Sequence, residues 1–138
     1  MRTTTTNPIL PDDRPLPRDS AAITVVSVQH HDVVVLSVAG TIDVLTAPLL
    51  TQSVTAALAG RPRGLIIDLT DTVFLASAGM SALLAAHDSA PTGHFSVVAD
   101  GPSTGRPLKL VGLHLTMTIY PTLDTALAAF ADVREVSA

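Results

Sequence analysis

The sequence predicts an α/β fold: a single mixed β-sheet that opens with a hairpin, with about four helices packed against it. Three observations lead there. Two β-branched runs, residues 23–28 and 33–38, are separated only by Gln29-His30-His31-Asp32, the pattern of paired antiparallel strands. Beyond them, short apolar runs at 65–67, 95–99 and 116–120 alternate with stretches of helical period. That alternation is the mark of βα units joined by right-handed crossovers. Of the 138 residues, 47% are hydrophobic and only 3% aromatic, so one domain's core can be built from Val, Leu, Ile and Ala.

Residues 1–20 are rich in Thr, Pro, Arg and Asp and carry little that could be buried, so a mobile tail is expected. The threonines at residues 3–6 are its one feature suited to a regulatory arm. In the hairpin turn, His30 and His31 invite a metal reading. Neighbours on an extended segment point to opposite faces, however, and no further ligand stands at coordinating distance in sequence. Exposed turn residues are expected there.

Gly40-Thr41-Ile42-Asp43 ends the second strand. Thr46 then reads as a helix N-cap with Pro48 in the first turn, Leu50, Val54, Ala57 and Leu58 as the core face, and Gly60 with Pro62 as the stop. Asp43 reads from its spacing as a polar residue bonding its own loop, with a functional carboxylate as the other reading.

The stretch from Asp68 to Asp88 is the one the rest of the chain serves. A buried strand, Leu65-Ile66-Ile67, closes on Asp68, and Val73-Phe74-Leu75 reads as an apolar connector to Ala76-Ser77-Ala78-Gly79. Met80, Leu83, Leu84 and His87 then fall at i, i+3, i+4 and i+7, a predicted core-facing stripe, with the small residues Ser81, Ala82, Ala85 and Ala86 opposite. Ser77 is placed where the first backbone N–H groups of a helix lack intrahelical partners. Its hydroxyl can cap the helix, and a phosphate there would meet the positive end of the helix dipole.

After the strand at 95–99, Asp100-Gly101-Pro102 turns the chain into a helix at 103–111, weakened by Gly105 and Pro107 and closed by Gly112. A last strand at 116–120 leads through Pro121-Thr122 to a helix whose Leu123, Ala126, Leu127 and Phe130 repeat the helical spacing. There is no internal repeat.

Composition narrows the function. The formal charge is −4, Lys109 is the only lysine, and the arginines are scattered, so no basic stripe or aromatic platform for nucleic acid is present. Zero cysteines exclude disulfides, thiolate metal sites and thiol switching. No apolar run approaches the roughly 18 residues of a membrane span. The N-terminus lacks the apolar segment of a secretory signal, so a cytoplasmic protein is expected. A hydrolase elbow at Ala76-Ser77-Ala78 lacks the first glycine of G-x-S-x-G, and His87 lies ten residues along the same helix, while His94 and His114 carry no triad spacing. No catalytic residue, metal or cofactor is expected.

The order and spacing of Gly40-Thr41-Ile42-Asp43, Asp68-Leu69-Thr70, Phe74 through Met80, Gly112-Leu113 and Tyr120-Pro121-Thr122-Leu123 resemble the sulfate transporter and anti-sigma antagonist (STAS) domain in its stand-alone form, the anti-sigma factor antagonist. The resemblance spans essentially all of the chain outside the tail and implies a STAS domain over residues 21–138. It implies a protein that binds an anti-sigma factor of the serine kinase type and so releases a sigma factor. It also implies a phosphoacceptor serine at the position of Ser77, with a serine phosphatase as a further partner. Thr41, Asp43, Ala76, Ala78, Gly79 and Met80 are the expected partner-binding residues. The sequence departs from the family at Ala76, where an aspartate is common. That departure keeps a second reading in view: a STAS-type interaction module in a stress-signalling complex, not regulated at Ser77.

Overall fold

The computed structural model describes residues 23–91 and 93–137, with side chains through residue 130. The predicted tail, residues 1–20, lies outside the described residues. Strands β1 (Ile23–His30) and β2 (Val33–Ile42) form the hairpin, antiparallel and in register from Ile23 opposite Gly40 to His30 opposite Val33. The strands run closer to the turn than expected, so Gln29 and His30 belong to β1 and only His31 and Asp32 make the turn. His31 takes φ 58°, a left-handed conformation in which His is enriched.

Helix α1 (Ala47–Ala59) follows, then β3 (Gly64–Asp68), β4 (Thr72–Leu75) and α2 (Ser77–Ser89). The remainder is β5 (Phe95–Val98), α3 (Gly105–Leu110), a 3-10 turn (Leu113–Leu115), β6 (Thr118–Tyr120) and α4 (Leu123–Ser137). The predicted helix at 103–111 is shorter, as Gly105 and Pro107 suggested. The last strand begins two residues late because residues 113–115 form the 3-10 turn. At the end of α1 the left-handed residue is Arg61, φ 53°, rather than Gly60, φ −79°.

The sheet order is β1-β2-β3-β5-β6, with β4 pairing β2 off this path. Every pairing except β1–β2 is parallel. One face carries the larger core: Val34, Leu36 and Val38 of β2 with Leu65, Ile67 and Val97, covered by Leu50 and Val54 of α1, Leu83 and Ala86 of α2 and Leu108 of α3. On the other face, α4 lays Ala126 and Phe130 over Val33, Val35, Ile66 and Val98. Strand β3 is buried along its whole length, as a parallel strand covered on both faces should be.

The phase of α2 differs from the sequence reading. Its buried residues are Gly79, Leu83 and Ala86, while Leu84 is exposed and His87 partly so. The small residues Ala82, Ala85 and Ala86 face Thr51, Val54, Thr55 and Leu58 of α1, with a crevice of about 60 Å³ between the helices. Their small size is used to bring two helices together.

Candidate functional site

Segment 72–75, read from sequence as a connector, is a fourth parallel strand, and it assembles the site. The first half of β2 pairs β3 as far as Ser37 opposite Asp68, and the second half pairs β4 from Gly40 opposite Thr72. A bulge between Gly40 and Thr41 accompanies the change of partner, and Gly40 holds φ 105°, a conformation suited to glycine. The exchange is pinned by Thr72 Oγ1 donating to the Val38 carbonyl at 2.8 Å and by Gly40 N–H donating to the Asp71 carbonyl at 3.1 Å. Ile42 then lies opposite Leu75, and Ala76 N–H donates to the Ile42 carbonyl at 2.8 Å. Two segments separated by more than thirty positions in sequence, 40–43 and 76–80, are thereby side by side.

On the β2 side, Asp43 folds the connection to α1. Its Oδ1 accepts the N–H groups of Leu45 (2.9 Å) and Thr46 (3.1 Å), and its own N–H donates to Thr46 Oγ1 (2.9 Å). Thr46 Oγ1 donates to the Thr41 carbonyl at 2.7 Å. Thr46 therefore stands at the N-cap position of α1, yet its hydroxyl serves the loop and makes no cap bond to the helix. Asp43 is the loop-bonding residue that its spacing suggested.

On the β4 side, the N-cap of α2 is Ala76, whose φ −85° and ψ 171° are those of a capping residue without a capping side chain. Ser77 is the first helical residue and makes no cap bond, so the expected capping role is corrected: a residue at that position is already inside the first turn. Its side chain is exposed. Gly79 and Met80 donate their N–H groups to the Ala76 carbonyl, leaving the earliest N–H groups of the turn facing outward with the helix dipole behind them. No acidic residue occupies this turn.

The expected partner-binding residues separate by burial. Thr41, Asp43, Ala76, Ala78 and Met80 are half-buried, and Gly79 is buried. A Cβ on Gly79 would come within 2.6 Å of both Ile42 Cγ2 and Leu75 Cδ1. Gly79 therefore seats α2 against the sheet instead of offering a surface.

Sequence reasoning missed the apolar rim. Val44 (73% exposed) and Leu45 (64%) project from the loop that Asp43 holds, and Val73 and Phe74 (55%) project from β4. Apolar dipeptides at positions too short to belong to a core stripe were the available signal. The histidines do not join Ser77. His87 bonds Asp88 at 3.4 Å and meets Phe95 edge-on, with ring centroids 5.8 Å apart, while ten residues of helix put it about 15 Å along the axis. Among the described residues, no cluster of His, Cys, Asp or Glu could hold a metal ion, and no helix is long and apolar enough to cross a membrane.

A mixed sheet opened by a hairpin, with helices on both faces, is the architecture of a STAS domain. The STAS domain family model matches residues 24–126, and the chain belongs to that family. Within it, the chain is similar to the anti-sigma-F factor antagonist RsfB of Mycobacterium tuberculosis, 39% identical over 107 residues that cover 77% of this chain and 88% of that protein. It is also similar to the crystal structure of an anti-sigma factor antagonist from Mycobacterium paratuberculosis, with a TM-score of 0.76 and 44% identity across 79% of this chain and 94% of that one. The structure of the anti-sigma factor antagonist SpoIIAA in its unphosphorylated form shares the fold, with a TM-score of 0.60 at 16% identity, over 82% and 98% of the two chains.

Proposed function

We propose that this protein is a cytoplasmic anti-sigma factor antagonist: a binding protein, not a catalyst, that engages an anti-sigma factor of the serine kinase type and frees a sigma factor. The docking surface is the junction of the β2–α1 loop with the start of α2, rimmed by Val44, Leu45 and Phe74. The kinase ends the complex by transferring the γ-phosphoryl group of ATP to Ser77 Oγ, with ADP leaving, and a serine phosphatase reverses the modification. The observation that carries this reading is the exposed Ser77 at the first position of α2, with its hydroxyl released from capping duty.

A phosphoserine there adds about −1.5 to −2 charges. The helix N-terminus tolerates that charge in the free protein, so the fold survives. In a complex the same group must lose water, which without a cationic partner costs several kcal/mol. Since each ~1.4 kcal/mol is tenfold in affinity, the complex weakens by about a hundredfold or more.

One observation favours the second reading, an interaction module indifferent to Ser77 phosphorylation. Ala76 stands where the family commonly has aspartate, and the first turn of α2 holds no acidic residue. A paired capture from native lysate, with wild type and Ser77→Glu as baits, separates the two. The switch predicts that wild type retains a kinase-like anti-sigma factor and that Ser77→Glu loses it. Equal capture, together with an unmodified Ser77 after incubation with that partner and ATP, rejects the switch.

A further inference from the structure

Helix α4 covers only part of its face of the sheet. It packs over β3, β5, β6 and the first residues of β2, and no other described element lies over the β1 side of that face, where Val26 and Val28 are exposed. In the β1–β2 register, Thr24, Val26 and Val28 share this face with Ala39, Ser37 and Val35, and the β2–β4 register adds Thr41 with Phe74. Val26 is 49% exposed, Val28 42%, and Phe74 is exposed at the far end of the same surface. The result is a strip crossing three strands in which Val26, Val28, Ala39 and Phe74 are interspersed with the hydroxyl residues Thr24, Ser37 and Thr41, bordered by β1, the edge strand among the described residues. Open apolar sheet faces beside a free edge are association hazards that proteins cover.

We propose that the chain's own N-terminal segment, residues 1–22, seats on this strip. Two observations select it over a second copy or a foreign partner. The first is where the segment joins the domain. Ile23 lies opposite Gly40, so the segment enters at the end of the sheet where Thr41 and Phe74 sit, and the first residue of the strip, Thr24, follows at once. With strands about 4.8 Å apart, Phe74 is only about 10 Å from the point of entry, two strands across.

The second is what the segment carries and how far it reaches. Its large branched apolar side chains are Ile9, Leu10 and Leu16, set among Pro8, Pro11, Pro15 and Pro17. Proline favours extended chain that makes no internal hydrogen bonds and leaves its backbone groups to water, which suits a segment lying across an exposed sheet face. At about 3.1 Å per residue, Leu16 reaches about 22 Å from Ile23 and Leu10 about 40 Å, enough to meet either Phe74 or Val28. The segment has too little apolar content to fold alone, but it can be ordered against a ready surface.

The absence of cysteine makes the test direct. A nitroxide on Thr6→Cys of the full chain, beside Ile9 and Leu10, should broaden the amide resonances of Val26, Val28, Ala39 and Phe74. Those of Thr55 and Ala85, on the opposite face, should stay sharp. Replacing Leu10 and Leu16 together by Ser should restore at least half of the lost intensity. Broadening that is absent, spread evenly over both faces, or unchanged in the Leu10→Ser, Leu16→Ser protein overturns the proposal. So does broadening that persists when isotope-labelled, spin-free chains are mixed with unlabelled spin-bearing ones, because a second copy would then be the occupant.

Discussion

Asp43 and Thr46 hold each other reciprocally: the Asp43 N–H donates to Thr46 Oγ1 at 2.9 Å, and the Thr46 N–H donates to Asp43 Oδ1 at 3.1 Å. With Thr46 fully buried, this pair fixes the loop that projects Val44 and Leu45, so a polar residue that touches no partner shapes the surface a partner would meet. Thr46→Val keeps the shape but strands the Asp43 N–H and the Thr41 carbonyl. A loss of about 2 kcal/mol is expected in urea unfolding, with Thr46→Ser close to wild type.

Ala76 has the backbone of an N-cap and none of the chemistry. Ala76→Asp supplies an acceptor for the free N–H groups and a negative charge at the positive end of α2, for a gain of about 1 kcal/mol. Ser77→Ala, by contrast, should stay within about 0.5 kcal/mol of wild type, as an exposed position outside the cap. The same urea titrations check both, and a large loss in Ser77→Ala would mean that the hydroxyl caps after all.

Gly79→Ala tests the seat of α2. The added methyl collides with Ile42 and Leu75, both core residues, and overpacking of this kind costs about 1–3 kcal/mol. Thermal or chemical unfolding should show that loss, and amide shifts should concentrate at Ile42, Leu75 and the first turn of α2.

Leu45→Ser should leave stability within about 0.5 kcal/mol, because the side chain is exposed and its backbone bond to Asp43 is kept. If the rim contacts the anti-sigma factor, affinity measured by calorimetry with the partner identified in the capture experiment falls about tenfold or more. Unchanged affinity would place the docking surface elsewhere.

What was legible in the sequence follows from how each element earns its burial. The hairpin and β3 announced themselves through β-branched residues, and two of the stretches that carry the family resemblance, 40–43 and 74–80, lie side by side. Strand β4 was hidden because only Thr72 and Leu75 of its four residues are buried, which leaves no alternation to read. The phase of α2 was misjudged because apolar size favours Leu84, whereas close packing against α1 selects the smaller Ala86. The cap was assigned to Ser77 on side-chain chemistry, while the backbone turns one residue earlier, at Ala76. Val44 and Leu45 were overlooked because an apolar pair in a loop has no period.

The change of partner along β2 also has a kinetic meaning. The last two residues of β2 carry the loop that Asp43 folds, and the same two residues pair with the end of β4, which delivers α2. The two halves of the candidate surface are therefore branches of one strand, and neither has to find the other when a ligand arrives. Encounter with a macromolecule should then need no rearrangement of the sheet or of α2, and a rate below the about 10⁵–10⁷ M⁻¹ s⁻¹ typical of preformed patches would report displacement of the N-terminal segment from Phe74.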